Sequence, residues 1–68
     1  MNDMAIRLGQ ALYDSGMSQK ELGEQIGVNR ATVNYWCNHG TWPSAKYLPA
    51  ICRTLGVSAD WLLFGEEK

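Results

Sequence analysis

Four residues between positions 30 and 35 have side chains suited to contacts with nucleic-acid bases. The guanidinium of Arg30 can donate two hydrogen bonds to the O6 and N7 atoms of guanine, or it can bind a phosphate. Asn34 can pair with the edge of an adenine, and the methyl group of Ala31 can meet the methyl group of a thymine. The Tyr35 ring can lie on a thymine methyl group, or its hydroxyl can donate to a phosphate. Arg30 and Asn34 can equally be solvated surface residues, Ala31 a helix former and Tyr35 part of a core, so their chemistry depends on the elements that hold them.

A short helix precedes these residues. Ser18 and Glu21 have the spacing of a capping box, in which the serine hydroxyl and the glutamate carboxylate each accept a backbone N–H of the other residue. The apolar residues at positions 22 and 26 share one helix face. Gly27 ends the helix, because glycine tolerates the left-handed conformation of a helix stop. The pattern predicts a helix over residues 19–26.

A second helix, about Arg30–Asn38, follows after a tight turn. Asn29 is a favourable N-cap, and Val33 and Trp36 supply an inner apolar face. The four side chains suited to base contacts lie off that face. Two helices separated by about three or four residues that include a glycine form a helix-turn-helix. The sequence therefore predicts that residues 29–38 form a DNA recognition helix.

The net charge of the chain, taken alone, argues against nucleic-acid binding. The net charge is −1, whereas DNA-binding domains are usually basic. The distribution reduces this conflict, because Asp60, Glu66 and Glu67 lie in the C-terminal segment. Gln19 and Lys20 stand at the positive end of the first of the two helices and suit a phosphate, although Lys20 fits a solvated surface nearly as well. We therefore expect modest non-specific affinity for DNA.

The N-terminal segment predicts another amphipathic helix, over residues 2–15. Met4, Leu8 and Leu12 recur every four positions and form an apolar stripe. Gly9 interrupts this segment at a cost of about 1 kcal/mol relative to alanine. We expect Gly9 to allow close packing against a neighbouring helix.

Two further helices are predicted after a loop over residues 39–44. The first covers about Ala45–Leu55, with Pro49 in or near its first turn. Ser58 caps the next helix and Gly65 ends it. The buried face of the earlier helix is predicted to consist of Leu48, Ile51, Cys52 and Leu55. With no useful β-type alternation, the chain is predicted to be all-α, a compact bundle of about five short helices.

The last predicted helix contains four consecutive large apolar residues, Trp61 to Phe64. One helix face can bury only about half of such a run, and we expect Trp61 to be core. Leu63 or Phe64 would then remain exposed, and a two-fold contact between copies would cover it. We predict a homodimer with Leu63 and Phe64 at its interface. Two recognition helices about 34 Å apart would reach successive major grooves.

Length and composition indicate one small domain, residues 1–68. The chain is 46% hydrophobic and 19% charged, which is a globular and not a disordered composition. No apolar run approaches the ~20 residues of a membrane span. The N-terminus lacks the shape of a signal peptide. We therefore expect a cytoplasmic protein without membrane association.

Catalytic and metal chemistry are not predicted. A single loop histidine, His39, has no credibly spaced nucleophile and acid to form a catalytic set. Cys37, His39 and Cys52 lack the paired spacing of a zinc site. We expect both cysteines to be reduced thiols, and we expect no enzymatic activity, cofactor or metal.

The whole pattern resembles the lambda-repressor-like helix-turn-helix family of phage repressors, Cro-type proteins and related bacterial regulators. The residues that carry the resemblance are SQKELGEQIGVNRATVNYW, then Pro43-Ser44, then LGVSADWLLFGE. The resemblance implies a five-helix domain that places helix 3 in the major groove of operator DNA and binds as a dimer. Helices 2 and 3 would be the helix-turn-helix.

The resemblance also assigns roles to single residues. Gln19 matches a position that contacts the DNA backbone and sometimes a base, and Thr32 and the loop 40–44 match positions near phosphates. Arg30, Ala31 and Tyr35 match positions that face base edges, with Asn34 beside them. The full predicted DNA-binding set is Gln19, Lys20, Asn29, Arg30, Ala31, Thr32, Asn34, Tyr35, Thr41 and Trp42. For Trp42, packing on the fourth helix is the alternative.

Two features depart from the family pattern. The family often has a glutamate where this chain has Cys37, and the partner arginine of that glutamate corresponds by simple offset to Leu12. Replacing both members of a buried ion pair by apolar groups can preserve stability. The following glycine, Gly40, comes one residue late, so we expect Asn38 or His39 to take the left-handed cap position.

The favoured interpretation is a phage or bacterial transcriptional regulator that binds a two-fold operator as a homodimer. The alternatives are a protein-interaction module on the same fold, such as an antitoxin or adaptor, and the DNA-binding domain of a longer regulator. The near-neutral charge slightly favours the interaction module.

Overall fold

The computed structural model describes residues 3–39 and 42–66, and every regular element in them is helical. A 3-10 turn, Ala45–Tyr47, precedes the fourth helix. The helices are α1 (Asp3–Ser15), α2 (Gln19–Ile26), α3 (Arg30–His39), α4 (Leu48–Leu55) and α5 (Ala59–Phe64). The predicted all-α fold with five helices is confirmed.

The bounds of α2 are as predicted, and its capping residues explain them. The Ser18 hydroxyl accepts the Glu21 backbone N–H at 3.0 Å, and the Ser18 N–H donates to the Glu21 carboxylate at 2.8 Å. These bonds from Ser18 lower the pKa of Glu21 below its ordinary value. At the other end Gly27 takes a φ of 85° and donates to the Gly23 carbonyl at 2.8 Å.

Two other boundaries differ from the prediction. α3 runs through His39, and no residue other than glycine has a positive φ among the residues described. The expectation that Asn38 or His39 takes the left-handed conformation is therefore wrong. α4 begins at Leu48 and not at Ala45. A proline ring clashes with the carbonyl four residues earlier in an α-helix, so Pro49 prevents α-helical structure from starting at Ala45.

All five helices contribute to one hydrophobic core. Its most deeply buried large side chains are Met4, Leu8, Leu22, Val33, Ile51 and Leu62. Trp36 is buried as predicted, and Trp61 is only half-buried at the edge of the core. Leu12 and Cys37 belong to the same buried cluster, which agrees with apolar replacement at both positions. No helix among the described residues has the length and apolar character to cross a membrane.

The expectation for Gly9 is wrong. A Cβ atom added there would meet nothing within 4 Å, so no neighbouring helix packs closely against it. The close approach occurs at Gly23 on α2, where a Cβ atom would lie 2.5 Å from the Val28 carbonyl oxygen. The missing side chain at Gly23 lets the turn between α2 and α3 lie directly against α2. Gly23 therefore helps to set how the two helices are placed.

Arg7 joins the first helix to the last. Its Nε donates to the Leu62 carbonyl at 2.9 Å and its Nη2 donates to the Leu63 carbonyl at 2.9 Å. The last carbonyls of a helix have no partner within the helix, and they form the negative end of its dipole. The Arg7 guanidinium therefore closes the C-terminal end of α5.

Candidate nucleic-acid interface

The start of α2 and the outer side of α3 form one continuous surface. The Asn34 amide Nδ2 donates a hydrogen bond to the Gln19 side-chain oxygen at 3.1 Å, which joins the two helices directly. Gln19, Arg30, Ala31 and Asn34 together line an open depression. The structure thus brings together four of the residues predicted to contact DNA. We call this group the α2–α3 surface.

The orientation of α3 follows from its buried side. Val33, Trp36 and Cys37 point into the core. The opposite side presents Arg30, Ala31, Asn34 and Tyr35, all of which are exposed. This is the arrangement by which a recognition helix offers its N-terminal side chains to base edges.

Asn29 and Thr32 hold the start of α3. The Asn29 side-chain oxygen accepts the Thr32 backbone N–H at 2.8 Å and the Thr32 hydroxyl at 2.9 Å. The first is an N-cap bond, which fixes the first turn of the helix, and the second ties the Thr32 side chain to the cap. The amide nitrogen of Asn29 takes no part in these two bonds. Both residues lie beside the α2–α3 surface and fix where Arg30 begins.

The C-terminal turn of α3 carries two stacked rings. The centroids of Tyr35 and His39 are 4.5 Å apart, with 29° between the ring planes. Half of the Tyr35 surface, 51%, is exposed. His39 and the exposed Asn38 continue the outer side of α3, and the sequence reasoning left both out of the DNA-binding set. Asn38 follows Asn34 by four residues, and His39 follows Tyr35 by four residues. This spacing is the sequence signal that puts both residues on the outer side of α3.

The remaining predicted residues lie around this surface. Lys20 is exposed at the first turn of α2, and Trp42 is 49% exposed in the segment before α4. Thr41 lies outside the described residues. Tyr47 is half-buried with its ring centroid 5.9 Å from that of Trp36, so it supports the inner side of α3.

The two cysteines lie away from the exposed side of α3. Both are free thiols, Cys37 buried and Cys52 half-buried. Burial raises the pKa of each thiol above its ordinary value. A raised pKa keeps a thiol protonated and unreactive at neutral pH.

Comparison with known proteins places this arrangement in a family. Residues 10–62 match the model of the family described as Helix-turn-helix. The chain belongs to this helix-turn-helix family. It is of the lambda-repressor-like, Cro/C1 type. The matched range includes both helices of the α2–α3 surface.

Several relatives of this helix-turn-helix chain have names that describe a function. The chain is 32% identical over 68 residues to an HTH-type transcriptional regulator for conjugative element R391 from Providencia rettgeri, covering 100% of the chain and 31% of that protein. It is 32% identical over 66 residues to the repressor protein CI of Enterobacteria phage phi80, covering 97% of the chain and 28% of that protein. The chain therefore spans about a third of the length of the curated relatives it matches.

A solved structure has the same fold. The P22 c2 repressor protein, crystallised in complex with synthetic operator 9T in the presence of Tl+, superposes with a TM-score of 0.88 at 27% sequence identity. The similarity covers 97% of this chain and 100% of that chain.

Proposed function

We propose that this chain is a sequence-specific DNA-binding module of a transcriptional regulator, which inserts α3 into the major groove of an operator. The observation that carries the proposal is the α2–α3 surface, where side chains suited to base contacts stand together on the exposed side of a helix-turn-helix. The names of the relatives support it, and so does the similar repressor crystallised on a synthetic operator. The proposed function requires no catalytic step and no cofactor, and we place it in the cytoplasm.

Hydrogen-bonding groups on the surface suggest how bases are recognised. Arg30 donates to guanine O6 and N7 from the first turn of α3. The bond from Asn34 to Gln19 uses one amide hydrogen, so the Asn34 oxygen and second hydrogen are free for the edge of an adenine. The Gln19 amide nitrogen then donates to a phosphate. Contacts of this kind to bases give specificity, and those to phosphates fix the position of the protein.

Flanking residues supply the contacts to the DNA backbone in this proposal. Lys20 stands at the first turn of α2, where the helix dipole also favours an anion. Trp42 and Thr41 follow the end of α3, and the Asn29 amide nitrogen lies at its start. With few cations near the groove, the salt dependence of binding should be moderate.

A homodimer, at least on DNA, completes the proposal. On α5 Leu62 is fully buried, Leu63 is half-buried and Phe64 is 67% exposed. A two-fold contact through Phe64 and Leu63 would remove this apolar surface from water. Dimerisation would also double the number of base contacts, since one domain alone buries too little surface for tight specific binding.

The test is a binding titration on DNA that the chain itself selects from a random-sequence library. Fluorescence anisotropy should show tight binding to the selected duplex and much weaker binding to its shuffled control, with a linear decrease in log affinity against log salt. The variant Arg30→Ala should weaken binding to the selected duplex by about 1–3 kcal/mol and so reduce the preference. The exposed arginine of α4 supplies the matched control, Arg53→Ala, which should keep it. Equal, weak binding to both duplexes would contradict the proposal and favour an interaction module, for which a partner protein would then be sought.

A further inference from the structure

The stacked pair of Tyr35 and His39 takes no part in the contacts proposed for Arg30 and Asn34. The two residues are one helical turn apart on α3, and both are exposed. A centroid distance of 4.5 Å is at the short end of the range in which aromatic rings attract each other. The stack therefore restrains the Tyr35 ring before any ligand arrives.

The position of Tyr35 on α3 determines what its ring would meet. Tyr35 follows Ala31 by four residues, so the two share the side of the helix opposite the buried Val33 and Trp36. When α3 enters a major groove, this side faces the base edges and not the phosphates at the groove walls. His39 covers one face of the Tyr35 ring and leaves the remainder of the ring available.

Resting on the proposed function, we infer that His39 is a positioning residue that holds the Tyr35 ring against the methyl group of a thymine. The exposed part of a restrained tyrosine ring is flat and mostly apolar, and the C5-methyl of thymine is the apolar group that the major groove offers. A tyrosine without this support loses side-chain freedom when it binds DNA. The stack reduces that loss, so His39 increases the preference for thymine without touching the base.

Replacing single thymines by deoxyuridine tests the inference, because uracil lacks only the methyl group and pairs identically. The probe is the duplex selected by the chain, resynthesised with deoxyuridine at each thymine in turn. At one thymine of each half-site the unmodified chain should bind about fourfold more weakly after the exchange, the value expected for one methyl group removed from water. The variant Tyr35→Ala should bind the two duplexes equally.

Four further variants separate positioning from a general structural role. His39→Ala should reduce the methyl effect at the same thymine, and His39→Phe, which keeps a stacking ring, should restore it. Arg53→Ala, a change at the exposed arginine of α4, should leave the methyl effect in place. Adding His39→Ala to Tyr35→Ala should cause no further change, since residues that act through one contact are not additive. Circular dichroism checks that each variant remains helical.

The possible results distinguish this inference from the proposed function. A chain that prefers its selected duplex, but responds to no thymine methyl group, would overturn the inference alone. A methyl effect that survives His39→Ala would also overturn it, as would an equal loss of affinity on both duplexes in that variant. Failure to prefer any selected duplex would overturn the proposed function and this inference together.

Discussion

The variant Arg7→Met removes two hydrogen bonds and keeps most of the aliphatic part of the side chain. The lost bonds join the guanidinium to the carbonyls of Leu62 and Leu63, each at 2.9 Å. A hydrogen bond to a charged group contributes about 1.5–3 kcal/mol to stability. Because the two Arg7 bonds are partly exposed, we expect them to contribute about 2–3 kcal/mol together. α5 has only 6 residues, too few to remain helical without tertiary contacts.

This loss is large for a chain of 68 residues, whose free energy of unfolding is expected to be about 3–10 kcal/mol. Since 1 kcal/mol shifts the melting temperature of a chain this size by about 4–8 °C, Arg7→Met should lower Tm by about 8–24 °C. Urea unfolding followed by the fluorescence of Trp36 and Trp61 measures the free energy, and a thermal scan measures Tm. Arg7→Lys should be intermediate, because an ammonium group lacks the planar fork that reaches both carbonyls.

The control is Arg53→Met, which changes the same residue type at an exposed position on α4. It should alter the free energy of unfolding by less than about 0.5 kcal/mol. If Arg7→Met changes the free energy of unfolding no more than Arg53→Met does, the Arg7 guanidinium does not stabilise the C-terminal end of α5 in solution.

Four other outcomes follow from the contacts described. Arg30→Ala should cost about 1–3 kcal/mol in binding to a selected duplex and relax specificity at one base pair, measured by anisotropy on single-substitution duplexes. Gly9→Ala should raise the free energy of unfolding by about 0.5–1 kcal/mol, because the new methyl group meets nothing within 4 Å; a destabilised variant would show that the site is crowded. Phe64→Asp should keep the chain monomeric in sedimentation on DNA and weaken operator binding, and an unchanged mass and affinity would remove Phe64 from the interface. The hydrogen bonds that lower the Glu21 pKa contribute stability above the ordinary glutamate pKa, and this stability is lost as the pH falls through the lowered pKa. Glu21→Gln should therefore show a smaller difference in Tm between about pH 6 and about pH 3 than the unmodified chain.

Local signals in the sequence predict most of the fold. Ser18, Glu21 and Gly27 define the ends of α2 by short-range hydrogen bonds and backbone conformation, and these are properties of a few adjacent residues. The helical spacing of apolar residues identifies the buried sides of α1 and α3 for the same reason. The start of α4 differs from the prediction because the ring of Pro49 clashes with the Ala45 carbonyl in an α-helix, even though a missing N–H costs little near a helix start.

Features that depend on distant residues could not be predicted in the same way. The bonds from Arg7 to α5 join residues 55 and 56 positions apart, and no local pattern marks them. The distinction between Gly9 and Gly23 requires knowing what lies next to each helix. The hydrogen bond between Gln19 and Asn34 likewise appears only when α2 and α3 are packed together.

The predicted DNA-binding residues show both what local sequence signals identify and what they miss. Arg30, Ala31, Asn34 and Tyr35 were identified from residue type and helical spacing, and the structure places all four on the exposed side of α3. His39 was assigned to a loop because the stretch from His39 to Ser44 contains a glycine and a proline. One further helical residue moves His39 onto α3 and brings its ring onto Tyr35.

The central claim is that the outer side of α3, with the start of α2, is the surface that meets DNA. The most direct test is nuclear magnetic resonance of the 15N-labelled chain titrated with its selected duplex, because every backbone amide then reports its own change. The largest chemical-shift changes should lie at Gln19 and Lys20 and along Arg30–His39, with a separate, smaller group at α5 if the chain dimerises. Large changes concentrated on α1 and α4, with α3 unaffected, would contradict the claim.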